Sequence, residues 1–89
     1  MKFAYDSAKS EANLLKHGIN FKDAQALWSD PYLLVAEARF ADEPRKIAVG
    51  RIGPRIWTAV FTTREETIRI ISVRPARSEE RLRYEYHEN

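Results

Sequence analysis

The chain has 89 residues, 44% hydrophobic and 31% charged, the balance of a folded domain rather than a disordered segment. It has no cysteine, which excludes a disulfide framework, a zinc ribbon and a thiol nucleophile, and it has no apolar run of the ~18 residues needed to span a bilayer. The opening MKFAYDSAKS lacks the apolar stretch of an export signal, so one domain over residues 1–89 in a reducing cytoplasm is expected.

Formal net charge is +2, unevenly spread. Residues 1–44 hold five Lys/Arg against seven Asp/Glu, and residues 45–89 hold ten against six. Nine of those ten cations are Arg, the side chain of forked phosphate contacts and of stacking on flat rings. The second half therefore reads either as a face for a polyanion or acidic partner, or as a solvated surface laced by ion pairs.

In chain order, residues 1–5 predict a short strand. Asp6 can cap a helix over 7–17, in which Ala8, Ala12 and Leu15 recur at helical spacing, and Gly18 suits its left-handed end. Asn20 can cap a second helix whose stripe is Phe21, Ala24, Leu27 and Trp28, stopped by Asp30 and Pro31. Residues 32–36 read as a strand and 37–44 as a polar loop. Three segments rich in Ile, Val, Thr, Trp and Phe follow at 46–52, 55–63 and 67–73. Pro75 ends the last of them, and Ser78 caps a final helix with Glu79 and Glu80 in its first turn. The order is α+β: a helical hairpin on a mainly antiparallel, twisted sheet, with a C-terminal helix.

Tight hairpins set a register of Gly50 with Trp57 and Ala48 with Ala59, then Trp57 with Arg74, Ala59 with Ser72 and Phe61 with Ile70. The face bearing Ile47, Val49, Val60, Ile71 and Val73 is expected to receive the helical hairpin, with Arg51, Arg64 and Arg69 at its margins. The other face carries the small Ala48, Gly50, Ala59 and Ser72, a depression flanked by Arg55, Trp57 and Arg74. A flat ring beside guanidinium groups can hold a base and its phosphate; equally, Trp57 can pack over Gly50 with Arg74 stacked on it for stability. On the last helix Arg77, Glu80, Arg81 and Tyr84 share one arc, either around one ligand or as a solvated, paired face.

No metal-ligand pattern links His17 and His87, and no nucleotide-cofactor motif or nucleophile elbow is present, so neither metal nor cofactor is expected. Cleavage of RNA by its own 2′-hydroxyl needs none of these parts. It needs an oriented strand, proton transfers and a neutralised phosphorane. Arg can supply charge, Glu80 is the expected base if burial raises its pKa, and Tyr84 or His17 can assist. His17 beside Gly18 also reads simply as a cation at a helix C-terminus.

The run FAYDSAK at 3–9, then Asn13, Lys16, His17, Gly18, Phe21, Asp30, Pro31 and residues 52–61, with IRIISVRPARSEERLRYE at 68–85, resembles the BrnT toxins over nearly the whole chain. The resemblance implies a RelE-like fold and a ribonuclease that stops translation. It also implies neutralisation by a BrnA-type antitoxin whose DNA-binding domain brings the complex to its own operator. Arg74, Glu80, Arg81 and Tyr84 match the family's C-terminal motif and are carried over as catalytic. Arg55, Trp57, Arg64 and Arg77 are expected to bind substrate. Lys9 and His17, with Asp6, match the N-terminal motif and are expected mainly to serve fold or partner, with Lys9 and His17 as auxiliaries at the site. The alternative is a non-catalytic module whose basic cleft only docks a DNA-binding partner.

Overall fold

The computed structural model describes residues 1–39 and 43–89. The elements are β1 (Lys2–Ala4), α1 (Ser7–His17), α2 (Phe21–Ala24) running into a 3-10 turn (Gln25–Ser29), β2 (Leu34–Arg39), β3 (Pro44–Ile52), β4 (Arg55–Arg64), β5 (Thr67–Pro75) and α3 (Ser78–Glu88). They make an α+β fold on one five-stranded sheet of order β1-β5-β4-β3-β2. Among the described residues only the β1–β5 pair is parallel. The expected polar loop at 37–44 is strand at both ends, Arg39 pairing with Pro44; residues 40–42 lie outside the described residues.

Local chemistry sets the helix ends. The Asp6 carboxylate accepts from the Ala8 and Lys9 amides at 2.9 and 3.1 Å, and Gly18 closes α1 at φ 83°, a conformation that costs a side-chain-bearing residue energy. Asn20 accepts from the Asp23 amide at 2.7 Å. The α1 stripe read from the sequence is overturned: Ala8, Ala12 and Leu15 face solvent, Leu15 at 89% exposure. Ser10 and Asn13 face inward instead. Ser10 Oγ accepts from the Phe21 amide, and Asn13 donates to the Ile19 carbonyl at 2.8 Å while accepting from the Val73 amide at 3.2 Å. These polar side chains satisfy backbone groups that neither helix nor ladder reaches.

The β3–β4 register is the expected one, Gly50 opposite Trp57 and Ala48 opposite Ala59. In β4–β5, Phe61 meets Ile70 as expected, but a bulge leaves Ile71 without a partner. Beyond it Val60 meets Ser72, Ala59 meets Val73, Thr58 meets Arg74 and Trp57 meets Pro75. One extra residue exchanges faces, so Ser72 and Arg74 move to the Val60 side and Val73 to the Ala59 side.

The side expected for the helical hairpin is also overturned. Phe21, Ala24 and Leu27 pack with Ala48, Trp57, Ala59, Phe61, Ile70 and Val73 in the main core. The small residues are not a ligand depression; they let the 3-10 turn approach the sheet. A Cβ on Gly50 would stand 3.0 Å from Leu27 and Leu33 and 3.1 Å from the Asp30 carboxylate. The opposite face holds a smaller cluster of Val49, Ile56, Ala76 and Tyr84, with Leu34 and Ile47 beside it, under α3.

Candidate active site

α3 is tied to the rest of the fold at three points, two on the sheet and one on Asp30 after the 3-10 turn. Its N-cap is Arg77 rather than the expected Ser78, and Glu80 reaches back to accept from the Arg77 amide at 2.8 Å, closing the first turn. The same carboxylate accepts from Arg74 in a two-pronged contact at 2.7 and 2.9 Å and from the Thr58 hydroxyl at 3.0 Å. Midway along, Tyr84 is 1% exposed and donates to Asp30 Oδ2 at 2.5 Å. At the far end Glu88 accepts from Arg51 at 3.1 and 3.3 Å.

The Arg74–Glu80 pair exists because the bulge carries Arg74 to the α3 side, opposite Thr58. Burial pushes the Glu80 carboxyl up, but hydrogen bonds from Arg74, the Arg77 amide and Thr58 outweigh it and hold it at about 2. The condition attached to Glu80 as a base, a pKa raised by burial, is therefore not met. In the fold its carboxylate pairs with the Arg74 guanidinium and fixes its orientation. Around this pair opens a groove of about 400 Å³ lined by Arg45, Ile47, Val60, Ser72, Arg74 and Arg77. Among the described residues Glu80 is the one carboxylate in its lining. Arg74 uses two of its five N–H groups on Glu80, which leaves three for an anion.

The other expected site residues are dispersed. Tyr84 does not line this groove. It sits over the second core, with burial and the Asp30 charge pushing its hydroxyl up and the Arg51 guanidinium 5.8 Å from its ring centroid. Asp30 accepts also from the Arg51 and Tyr32 amides, both at 2.8 Å; burial raises its carboxyl, but these bonds and that of Tyr84 hold it below its usual value. Arg81 and Arg55 share a separate groove of about 220 Å³ beside Pro75 and Glu85. Trp57 is buried in the main core, opposite Pro75 rather than Arg74, and cannot offer its face to a base; Arg55 stands 5.1 Å over its ring. Arg64 lines a third groove with Arg69 at the opposite end of β4, roughly 30 Å from Arg55 at ~3.3 Å per residue. Lys9 and His17 belong to α1, which packs along β5, and neither lines the Arg74 groove.

Of the predicted set, the structure thus brings together Arg74, Arg77 and Glu80, and adds Arg45, Thr58 and Ser72. Arg45 and Thr58 were legible in principle: carrying the alternation of Ile47 and of Val60 one step back puts both on the Arg74 face. Asp30, which anchors Tyr84, was read as stopping a helix and as part of the family resemblance, and neither reading points to this contact. Among the described residues no three His, Asp or Glu side chains come together as a metal set, and no helix is long and apolar enough to cross a membrane.

A comparison with curated proteins returns no match. The family model described as the ribonuclease toxin BrnT of type II toxin–antitoxin systems matches residues 5–80, from the start of the first helical segment to the Glu80 that holds Arg74. The chain belongs to the BrnT family of ribonuclease toxins from type II toxin–antitoxin systems.

Proposed function

We propose that this chain is a RelE-like toxin acting as one domain over residues 1–89, and that it cuts RNA in the Arg74 groove. The ribose 2′-oxygen forms a bond to the adjacent phosphorus and the bond to the 5′-oxygen breaks, leaving a 2′,3′-cyclic phosphate and a 5′-hydroxyl. The proton leaves the 2′-hydroxyl and reaches the 5′-oxygen through water, because a carboxylate held at about 2 is a weak base. Arg74 and Arg77 neutralise the phosphorane, and no metal or cofactor takes part. One such donor is typically worth roughly 10²–10³ in rate. The observation that carries this reading is the Arg74 fork, fixed on one edge by Glu80 and set among further cations. Arg81 and Arg55 provide a second cationic groove for the flanking strand.

In the cell, the activity stops translation in the cytoplasm. A BrnA-type antitoxin neutralises it, and that partner's DNA-binding domain carries the complex to its own operator. Expression of the chain alone in a bacterium tests the reading. Growth arrest with RNA fragments ending in 2′,3′-cyclic phosphate is expected, relieved by the antitoxin. Normal growth with intact RNA overturns it.

A second reading has one observation in its favour: the Glu80 carboxylate is already engaged by Arg74, Thr58 and the Arg77 amide. On that reading the cationic face only docks the DNA-binding partner. Intact RNA together with tight partner binding would select it.

A further inference from the structure

We propose that the apolar groove between β2 and α3 receives the antitoxin, as an amphipathic segment that lays apolar side chains into it and carboxylates along its cationic rim. The identity of the partner rests on the toxin reading above.

The groove, about 450 Å³, is lined by Leu34 and Ala36 of β2 and by Leu82, Arg83 and Tyr86 of α3. Leu82 is 67% and Tyr86 86% exposed. Neither helps to hold α3, which is docked through Glu80, Tyr84 and Glu88. Leu82 and Tyr86, two large apolar side chains on the outer part of the helix, face Leu34 and Ala36 of an edge strand; Leu34 also packs on the second core, whereas Leu82 and Tyr86 leave apolar surface exposed. Such grooves take amphipathic segments through apolar anchors.

Charge selects the partner. The apolar groove and the Arg74 groove adjoin, since Leu34, Ala36 and Ala38 alternate along one face of β2 and line the two in turn. Among the described residues their combined lining carries Arg77 and Arg83 together with Arg74, which is paired with Glu80, and Arg45, which is paired with Glu43 at 3.3 Å, a surplus of positive charge. A second copy of this chain would bring the same cations to the contact, and like charges oppose that pairing. A segment with carboxylates meets them favourably. Seated there it would extend over Arg74 and Arg77 and exclude RNA, so one surface explains both capture and neutralisation.

The test uses the full chain and a purified BrnA-type antitoxin, with affinity measured by calorimetry. Leu82→Asp is expected to weaken binding roughly 100-fold and Tyr86→Ala roughly 10-fold, as for anchors at an interface. Both variants should keep wild-type melting temperature and RNA cleavage. A Kd for Leu82→Asp within threefold of wild type overturns the proposal, as does failure of that protein to bind the wild type. Loss of RNA cleavage in Tyr86→Ala with unchanged binding also overturns it, because the ring would then be a stacking platform for RNA. The readouts separate the two readings: lost binding in a chain that cuts no RNA supports the docking site and sinks the ribonuclease, and normal binding by the variants of an active ribonuclease does the reverse.

Discussion

The two faces of the sheet are built by different physics. Under α1, α2 and the 3-10 turn, a continuous cluster of Phe21, Leu27, Trp57, Phe61 and Ile70 supplies the burial, and small residues at Ala48, Gly50 and Ala59 bring the layers close. Under α3 only Tyr84 of the helix is buried, and the helix is held by charged and hydrogen-bonded pairs. A face closed by packing has no room for a ligand. A face closed by a few polar ties leaves grooves between them, and its fixed charges are already oriented. The cationic site lies on the second face for that reason.

The comparison is sharpest where packing is removed. Phe21→Ala should cost about 4 kcal/mol, in the range for emptying a buried aromatic site, and a chain this small should unfold at moderate denaturant. A loss below about 1 kcal/mol in chemical denaturation would break the claim that this face carries the core. Asp30→Ala removes an acceptor shared by Tyr84, Arg51 and Tyr32 and should cost roughly 3 kcal/mol, chiefly by leaving the Tyr84 hydroxyl and two amides without a partner. Its denaturation curve should show that loss while Arg74 and its groove stay intact.

The smallest effect is on pH dependence. The Glu80 carboxyl lies at about 2 in the fold against 4.5 ordinarily, so its folded pKa is depressed. The ionised pair stabilises fully above about pH 4.5 and is lost as pH falls towards 2. The stability difference between wild type and Glu80→Gln should be constant above about pH 5, near 1–2 kcal/mol after solvent screening, and shrink below it. A difference that grew on acidification would mean that Glu80 is not Arg74's ionised partner.

The sequence was informative where one local rule decides. Asp6, Gly18 and Asn20 behave as caps because each needs only its own turn, and the β3–β4 pairing follows from a tight hairpin. The order of elements and the family were legible as well. The faces were not. One unpaired residue, Ile71, moved Arg74 and Ser72 across the sheet, and no residue type at 70–72 announces a bulge. The inward side of α1 was misread because Ser10 and Asn13 are buried to satisfy backbone groups, whereas hydropathy points to Leu15. Of the residues grouped from the sequence, Arg74, Arg77 and Glu80 lie together while Arg81 and Tyr84 do not, and the Arg74–Glu80 pair depends on a carboxylate–guanidinium geometry that spacing does not encode. Tyr84 shares the helical arc of Arg77 but lies two turns further on, over Asp30.

The most direct measurement is single-turnover RNA cleavage by purified Arg74→Ala, with Tyr84→Phe as its control. Arg74→Ala should fall at least about 100-fold in rate, with a stability loss of about 1–2 kcal/mol from the unpaired Glu80, small enough to leave it folded. Tyr84→Phe should lose about 1 kcal/mol of stability and cleave within threefold of wild type. A folded Arg74→Ala that cleaves at the wild-type rate would contradict the placement of the active site in this groove.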